Sequence, residues 1–162
     1  MNRLLFAKTG AVLSAVAVAF SACGGDSTGV EFEVIEETEF APSLGIDLAA
    51  MSRNDVGVYL QDIVPGVGDR VETGDTVWVE YQLHLSNGDS IGAGPFSFQT
   101  GTNATVPGFE WGVLGMRPGG QRKVVVPPVL GYGANGVPAG GIPGGAVLVF
   151  DIQLDSVGVF TP

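Results

Sequence analysis

One stretch of the sequence decides the fold: Val106-Pro107-Gly108-Phe109-Glu110-Trp111-Gly112-Val113, followed by Gly115-Met116-Arg117-Pro118-Gly119-Gly120. Small residues and prolines surround one short helical turn, whose apolar members are Phe109, Val113 and Leu114. A helix this short is not stable alone in water, because nucleation is costly and few hydrogen bonds follow it. We therefore expect it to pack as a plug inside a sheet, with an apolar pocket where the sheet covers its aromatic head.

The sequence after Val56 consists of short alternating runs separated by turn residues, which is typical of β-strands. In the clearest run, Thr76 to Leu85, one face is apolar from Val77 to Leu85 and the other carries Trp78, Glu80, Gln82 and His84. Asn87-Gly88 then predicts a hairpin turn, since both residues accept a positive φ. The remaining predicted strands are Val56–Val64, a short one with Phe96 and Phe98, Arg122–Val126, and Ala146–Leu154, in which Leu148, Phe150, Ile152 and Leu154 share a face. This pattern predicts a small antiparallel sheet, all-β or α+β, with one short helix.

Length and charge restrict the class of protein. A chain of 162 residues suggests one domain once its ends are removed, with a core that needs no disulfides. The formal net charge is −10 at pH 7. Nucleic acids and anionic membrane surfaces attract Lys and Arg, so we expect no nucleic-acid partner.

The N-terminus has the three parts of a secretory signal peptide, which we predict over residues 1–22. Arg3 and Lys8 supply positive charge, residues 10–20 form an uncharged run rich in Ala and Val, and Ser21-Ala22 are small. The apolar run is too short to span a bilayer comfortably, since a transmembrane helix needs about 20 apolar residues. Removal of this segment takes away two basic residues and no acid, so the mature chain is still more acidic.

Cys23 is the only cysteine in the sequence, so no intrachain disulfide can form. Ser21-Ala22-Cys23 resembles the bacterial lipobox, in which the cysteine is lipidated and becomes the mature N-terminus, although Phe20 stands where Leu is usual. We therefore predict a lipid anchor on Cys23 that holds the protein in the cell envelope, facing the periplasm. The outer membrane is favoured if the host has two membranes. The alternative is an ordinary secreted protein with an unmodified cysteine.

An acidic segment separates the predicted anchor from the predicted domain. Residues 24–29 have the composition of a flexible tether. Residues 30–40 alternate acids with apolar residues, which suits a strand or an extended arm, and residues 42–51 could form one helical turn. We interpret this segment as an acidic stalk. The predicted organisation is a signal peptide over 1–22, a lipidated cysteine, tether and acidic arm over 23–53, and one domain over 54–158.

The sequence contains none of the usual catalytic or metal-binding patterns. His84 is the only histidine, and its place on the solvated face of a strand favours a surface side chain over a catalytic base. One histidine, one cysteine and scattered acids give no ligand cluster, so we expect neither a metal site nor a cofactor. The acids between Glu31 and Glu39 could bind calcium weakly, but a solvated face explains them better. The glycine-rich stretches lack the Lys and helix of a phosphate-binding loop.

Six aromatic residues are expected to face inward: Tyr81, Phe96, Phe98, Phe109, Tyr132 and Phe150. Taken alone, buried aromatics belong more often to a core than to a site. Their order along the chain, together with neighbouring motifs, indicates more than a core. The motifs are Val79-Glu80-Tyr81, Pro95-Phe96-Ser97-Phe98, Val106-Pro107-Gly108-Phe109-Glu110, Gly115-Met116-Arg117-Pro118-Gly119-Gly120-Gln121-Arg122, Leu130-Gly131-Tyr132-Gly133 and Leu148-Val149-Phe150-Asp151. In this order they resemble the FKBP-type peptidyl-prolyl cis–trans isomerases, over about residues 54–157.

The resemblance implies an α+β fold, in which a twisted antiparallel sheet of five to six strands wraps around one short α-helix. It also implies a proline-binding pocket with Phe109 as its floor. The Val106 N–H and the Tyr132 hydroxyl would bind substrate carbonyls, and Phe96 and Phe150 would form walls. The implied catalytic residues are Tyr81, Phe96, Val106, Phe109, Tyr132 and Phe150, with further substrate contacts from Ile91, Phe98 and Ile142.

One position departs from the family pattern. Family members usually have Asp directly after the residue matched by Ile91, where it pairs with the strand Tyr, but this chain has Gly92. Residues 90–95 are also shorter than usual, and the loop from Val137 to Pro143 has an extra glycine between its two prolines. We expect these changes to affect macrolide binding more than catalysis, which does not use that carboxylate as an acid or a base.

The implied function is isomerisation of prolyl bonds in unfolded, exported polypeptides, by a monomer that needs no cofactor. Two alternatives remain at this point. One is a non-catalytic peptide-binding or chaperone-like module with a degenerate pocket. The other is a purely structural envelope lipoprotein, which would not require Phe109 and Tyr132 at pocket positions.

Overall fold

This computed structural model describes residues 29–158 of the chain. Their strands form one six-stranded antiparallel sheet. The strands are β1 (Ser52–Arg53), β2 (Tyr59–Val64), β3 (Thr76–Leu85), β4 (Ser90–Gln99), β5 (Gln121–Val126) and β6 (Leu148–Gly158), and the helix is α1 (Pro107–Val113). In space the strands follow the order β1-β2-β5-β6-β3-β4. The predicted fold class, an antiparallel sheet of five to six strands with one short helix, is confirmed. The predicted signal peptide and Cys23 lie outside the described residues.

The sheet face that contacts α1, called the inner face here, carries the main hydrophobic core. β3 alternates as predicted, with Val77, Val79 and Leu83 buried and Trp78 and Glu80 exposed. β6 lies beside β3 and contributes its own alternating set, Leu148, Phe150, Ile152 and Leu154, to the same core. Burial of this apolar face is the main favourable term in folding, since removing apolar area from water stabilises the folded state.

Two glycines allow α1 to lie directly on the inner face. Gly108 and Gly112 are four residues apart and therefore share one side of the helix. A Cβ on Gly108 would overlap the Val126 side chain, and one on Gly112 would come within 2.9 Å of Val124. Val124 and Val126 are fully buried residues of β5. The close approach of helix to strand therefore depends on the absence of side chains at these two positions.

Arg122 closes the C-terminal end of α1. Its guanidinium donates hydrogen bonds of 3.0 Å to the carbonyl oxygens of Gly112 and Leu114, and pairs with Asp62 at 2.6 Å. The last carbonyls of a helix have no partners within the helix and carry partial negative charge, so a buried cation stabilises them. The only buried charged side chain among residues 29–158 thus holds the plug in the sheet.

The opposite sheet face, called the outer face, is partly covered by the N-terminal arm, residues 29–51. The arm has three short 3₁₀ turns, Ile35–Glu37, Pro42–Leu44 and Leu48–Ala50, and no strand. Its side chains form a second core with residues from β2, β5, β6 and the segment before β6: Ile35, Leu44, Met51, Tyr59, Val125, Val147 and Val149. The interpretation of this segment as a stalk does not fit Ile35, Leu44 and Met51, which are buried against the sheet. Val30, Phe32 and Val34, at the start of the arm, are exposed.

The β3–β4 hairpin differs from expectation in two details. Only Gly88 of the Asn87-Gly88 pair has a positive φ, of 91°. The pairing shifts by one residue at the end of the hairpin, where Leu83 faces Gly92 but His84 faces Ser90, so Ile91 is the extra residue of a bulge. His84 is half-buried rather than fully solvated, and its Nδ1 is buried without a hydrogen-bond partner among residues 29–158.

Candidate functional site

An aromatic pocket opens on the inner face between α1 and strands β3, β4 and β6. Its volume is about 570 Å³. Eleven residues line it: Tyr81, Leu83, Phe96, Asn103, Ala104, Thr105, Val106, Pro107, Phe109, Tyr132 and Phe150. None of these side chains carries a formal charge at neutral pH. The pocket can therefore surround an apolar group while offering a few polar contacts, as small-ligand sites usually do.

Phe109 occupies the centre of the aromatic cluster. Its ring lies 5.0 Å from Phe150, 5.8 Å from Tyr81 and 6.3 Å from Phe96, measured between centroids. All three pairs are edge-to-face, an arrangement that aromatic rings favour and that fixes their mutual orientation. Phe109 and Phe150 are almost completely buried, whereas Tyr81 and Phe96 are half-buried. Phe109 is thus held by rings from β3, β4 and β6, and its role as the floor of a proline-binding pocket stays a prediction.

Val106 presents a free backbone donor beside this floor. It is the N-cap residue of α1, with φ −63° and ψ 139°, and its carbonyl accepts from the amide of Phe109 at 3.0 Å. Its own N–H donates to no acceptor within the described part of the chain. Pro107, the first residue of the helix, has no N–H to offer. The local sequence Val-Pro therefore leaves one amide at the pocket edge available to a ligand.

Tyr132 forms the opposite edge and belongs to the rim loop, residues 131–145. The Tyr132 side chain is 37% exposed. Its loop is held by short backbone hydrogen bonds, from Gly133 N to Pro128 O at 2.9 Å and from Gly136 N to Tyr132 O at 3.1 Å. The phenol hydroxyl makes no hydrogen bond to another of residues 29–158. It can therefore donate to a bound ligand without breaking a contact of the fold.

The six residues predicted as catalytic all line the aromatic pocket, namely Tyr81, Phe96, Val106, Phe109, Tyr132 and Phe150. The three further predicted contacts do not line it. Phe98 is buried behind Phe96, with the two rings stacked at 5.4 Å. Ile142 is buried in the core at the base of the rim loop. Ile91 is the bulge residue of β4 and packs against the same core from its edge.

Gly92, the position that departs from the family pattern, lies on the inner face. It pairs with Leu83, and Tyr81 pairs with Gly94, so residue 92 is a diagonal neighbour of Tyr81 on the same face. No atom lies within 4 Å of the place where a Cβ on Gly92 would stand. The space that an acid would fill is therefore open. Weaker macrolide binding stays a prediction.

Several pocket residues were not anticipated from the sequence. Asn103, Ala104 and Thr105 belong to the loop between β4 and α1, which Glu110 fixes by accepting a 2.7 Å hydrogen bond from Gly101 N. Asn103 has a φ of 55°, a left-handed conformation that Asn tolerates better than most residues. Residues 100–105 belong to none of the sequence motifs that pointed to a pocket.

The outer face has a second cleft, of about 630 Å³, between β3, β5 and β6. Polar and charged side chains dominate it: Glu80, Gln82, Gln121, Lys123, Asp151 and Gln153. Lys123 and Asp151 pair with each other at 2.5 Å across it. A hydrophilic cleft in which Lys123 is already paired with Asp151 offers less to an apolar ligand than the aromatic pocket, which we therefore take as the candidate site.

Across residues 29–158, no three His, Asp or Glu side chains come together in a way that could hold a metal ion. Within the same range, no helix is long and apolar enough to cross a membrane. The lining of the aromatic pocket includes no His, Cys, Asp, Glu, Lys or Arg.

Comparison with known proteins identifies the family. A sequence profile of the family described as FKBP-type peptidyl-prolyl cis-trans isomerase matches residues 68–155, more than half of the chain. FK506-binding protein 4 of Gibberella zeae is 41% identical over 102 residues, which are 60% of this chain and 20% of that protein. FK506-binding protein 3 of Candida albicans is 41% identical over 105 residues, 62% of this chain and 24% of that protein. The chain spans only about a fifth to a quarter of the length of the curated relatives it matches.

Solved structures agree with the sequence match. FkpA from Escherichia coli superposes with a TM-score of 0.62 and 33% identity, covering 68% of this chain and 52% of that one. AtFKBP13 superposes with a TM-score of 0.61 and 28% identity, covering 67% of this chain and 98% of that one. All eleven residues of the aromatic pocket fall within the range matched by the family profile. The chain therefore belongs to the family of FKBP-type peptidyl-prolyl cis–trans isomerases.

Proposed function

We propose that this protein isomerises X–Pro bonds of polypeptides in the aromatic pocket. One observation carries the proposal: an uncharged aromatic floor at Phe109 lies between two polar donors, the Val106 N–H and the Tyr132 hydroxyl, that the fold itself does not use. A pyrrolidine ring is a compact apolar group that suits this floor. The carbonyls that flank a proline are hydrogen-bond acceptors that suit the two donors.

The chemistry required is rotation about one C–N bond, with no covalent intermediate. Amide resonance keeps the bond planar, and the barrier to rotation is about 18–20 kcal/mol. Midway through the rotation the resonance is lost, so the carbonyl is less polar than in the planar form. A pocket poor in water and free of charge therefore favours the twisted state relative to the planar one. Catalysis follows because this preference exists only in the transition state.

The two donors would hold the substrate while the bond rotates. If the Val106 N–H binds one carbonyl and the Tyr132 hydroxyl binds another, the chain on either side of the proline is fixed. The prolyl ring is then held between Phe96 and Phe150 over Phe109. Binding energy from contacts remote from the rotating bond can offset the cost of distortion. The role of Tyr81 is to fix the ring of Phe109 by the edge-to-face contact.

A protease-coupled assay on a proline tetrapeptide tests this proposal, with the full chain purified in mild detergent. We expect the cis fraction to be consumed faster than the spontaneous rate. Tyr132→Phe should lower kcat/KM by about twofold to tenfold, which corresponds to one hydrogen bond of 0.5–1.5 kcal/mol. Its free energy of unfolding should change by less than about 0.5 kcal/mol, because the hydroxyl makes no contact within the fold.

The same assay separates the proposed enzyme from the non-catalytic alternative. Gly92 motivates that alternative, since Tyr81 lacks the acidic neighbour usual in the family. If the full chain binds the tetrapeptide but leaves the isomerisation rate at its spontaneous value, the protein is a peptide-binding module. If Tyr132→Phe leaves kcat/KM unchanged, the proposed donor is wrong.

We further propose that the substrates are unfolded, exported polypeptides, reached by a monomer anchored through a lipid on Cys23. Support comes from the sequence before the domain: a signal-like run over 1–22, the lipobox-like Ser21-Ala22-Cys23, and an acidic chain. Such an anchor would hold the pocket where newly exported chains emerge. Mass spectrometry of the mature protein tests this directly. A diacylglyceryl group on an N-terminal Cys23 is expected, and an unmodified cysteine or a different N-terminus contradicts it.

A further inference from the structure

We infer that Glu33 of the N-terminal arm is a positioning residue for the pocket, because it clamps the base of the rim loop that carries Tyr132. This inference rests on the proposed function, since it explains how one of its donors is held. Glu33 lies well before the range matched by the family profile, residues 68–155. It touches no pocket residue, so its effect has to pass through the backbone.

The Glu33 carboxylate joins two separate segments. Its Oε2 accepts a hydrogen bond of 2.7 Å from the amide of Val147, the residue before β6. The same carboxylate accepts from the Ser86 hydroxyl, at 3.1 Å to Oε1 and 3.3 Å to Oε2. Ser86 belongs to the turn between β3 and β4. Hydrogen bonds to a carboxylate are stronger than those between neutral groups, so this clamp is well suited to hold the two segments together.

The Glu33 backbone extends the clamp into the rim loop. The amide of Glu33 donates to Gly145 O at 2.8 Å, and the amide of Gly145 donates to Gly133 O, also at 2.8 Å. Gly133 directly follows Tyr132. Only two hydrogen bonds therefore separate the arm from the residue next to the proposed substrate donor.

Close packing makes this connection stiff. A Cβ on Gly145 would overlap the backbone of Glu31, and a Cβ on Gly144 would overlap the carbonyl of Ala134. The backbone of the arm thus lies directly against Gly145, and the backbone of Ala134 lies directly against Gly144, with the Val30 side chain beside both glycines. A displacement of the arm at Glu33 would be passed to residues 133 and 134 rather than absorbed.

The expected consequence of losing the clamp is a change in KM. If the rim loop spends only part of its time in the binding-competent position, the apparent affinity falls by that fraction. Once substrate is bound, the competent position is restored, so turnover at saturation should be nearly normal. If Glu33 served only to stabilise the fold, its loss would lower the melting temperature without raising KM selectively.

Kinetics of three arm variants test the inference in the full chain. Glu33→Ala should raise KM about threefold to tenfold, with kcat within about twofold of wild type. Glu33→Gln keeps an oxygen that can accept from the Val147 amide, and its KM should lie within about twofold of wild type. Glu36→Gln is the matched control, because Glu36 binds the Tyr59 hydroxyl on the outer face and makes no contact with the rim loop. Its KM should not change.

Hydrogen exchange of the backbone gives a readout that does not depend on activity. In Glu33→Ala, the amides of Gly145 and Val147 should exchange faster, and in Glu36→Gln they should not. Unchanged exchange and unchanged KM in Glu33→Ala would overturn the inference, as would an equal KM change in Glu36→Gln. An inactive wild-type chain would reject the proposed function alone, because the exchange rates still decide whether Glu33 clamps the loop.

Discussion

The two faces of the sheet are packed in different ways. The inner face carries the larger core and α1, yet it leaves about 570 Å³ open between its aromatic side chains. The outer face carries the smaller core, where the arm fills the space against Tyr59, Val125 and Val149. The opening of the inner face is therefore lined by aromatic side chains. The outer face is divided into an apolar part that the arm covers and an open cleft with polar and charged side chains.

The two faces also differ in the contacts that make them rigid. On the inner face it comes from close contacts, such as Gly108 on Val126 and the edge-to-face ring pairs around Phe109. On the outer face it comes from hydrogen bonds that join distant segments, such as Glu33 to Val147 and Tyr59 to Glu36. Changes at the helix contact on the inner face should therefore cost packing energy, and changes at Glu33, Glu36 and Tyr59 should act through charge and hydrogen bonding.

The largest effect is expected where the helix touches the inner face. In Gly108→Ala the new Cβ overlaps the buried Val126 side chain, and overpacking of this kind costs about 1–3 kcal/mol. The helix gains up to about 1 kcal/mol from Ala, which does not offset the overlap. In chemical denaturation, the free energy of unfolding of Gly108→Ala should be well below that of the matched control Gly92→Ala, whose Cβ stands in open space. Equal stabilities would show that close packing does not fix the plug.

An intermediate effect is expected where the inner face meets the substrate. Val106→Pro removes one N–H and keeps the backbone, because the φ of −63° at this position suits proline. Loss of one substrate hydrogen bond should lower kcat/KM by about tenfold, measured in the protease-coupled assay. Val106→Ala keeps the N–H and is the control, with a smaller loss expected. A folded Val106→Pro variant with wild-type activity would remove Val106 from the mechanism.

The smallest effect is expected on the outer face, in the dependence of stability on pH. The Tyr59 hydroxyl donates a 2.7 Å hydrogen bond to Glu36, which lowers the pKa of Glu36 from 4.5 and raises the pKa of Tyr59 from 10.0. The Glu36 contribution is complete above pH 4.5 and is lost as pH falls through the lowered pKa. The Tyr59 contribution is present below pH 10 and is lost as pH rises through the raised pKa.

The variant Tyr59→Phe tests the direction in which stability changes with pH. The stability difference between wild type and Tyr59→Phe should be largest between about pH 5 and pH 9 and should shrink toward about pH 3, as urea denaturation at each pH will measure. A difference that stays constant from neutral to acidic pH would mean that the hydrogen bond to Glu36 does not contribute.

Most of the inner face could be predicted from the sequence, because the patterns that define it lie within short segments of the chain. Alternation around Val77 and Leu83 reports which side of a strand is buried, and a helix as short as α1 can exist only as a packed plug. The resemblance then supplied the pocket residues, including Phe109 and Tyr132. Phe98 and Ile91 do not line the pocket, because Phe98 stacks on Phe96 and Ile91 is the extra residue of a β-bulge, so their contact with substrate stays a prediction.

The outer face was not predictable in the same way, since its contacts join residues far apart in sequence. Glu33 and Val147 are separated by 114 positions, and no local pattern links them. The alternation of residues 30–40 indicated an extended segment, but it did not reveal the surface on which Ile35 is buried. The role of Gly108 was hidden for the same reason, because its partner Val126 lies on another element.

Isomerisation observed directly on the peptide tests the central claim. In exchange NMR of a proline tetrapeptide, the cis and trans signals interconvert slowly, within tens of seconds or longer without catalyst. A catalytic amount of the full chain should speed this interconversion markedly, and Val106→Pro should speed it about ten times less. The account would be contradicted if the peptide signals shift on binding while cis–trans exchange stays at the spontaneous rate. The pocket would then bind proline without catalysing its isomerisation.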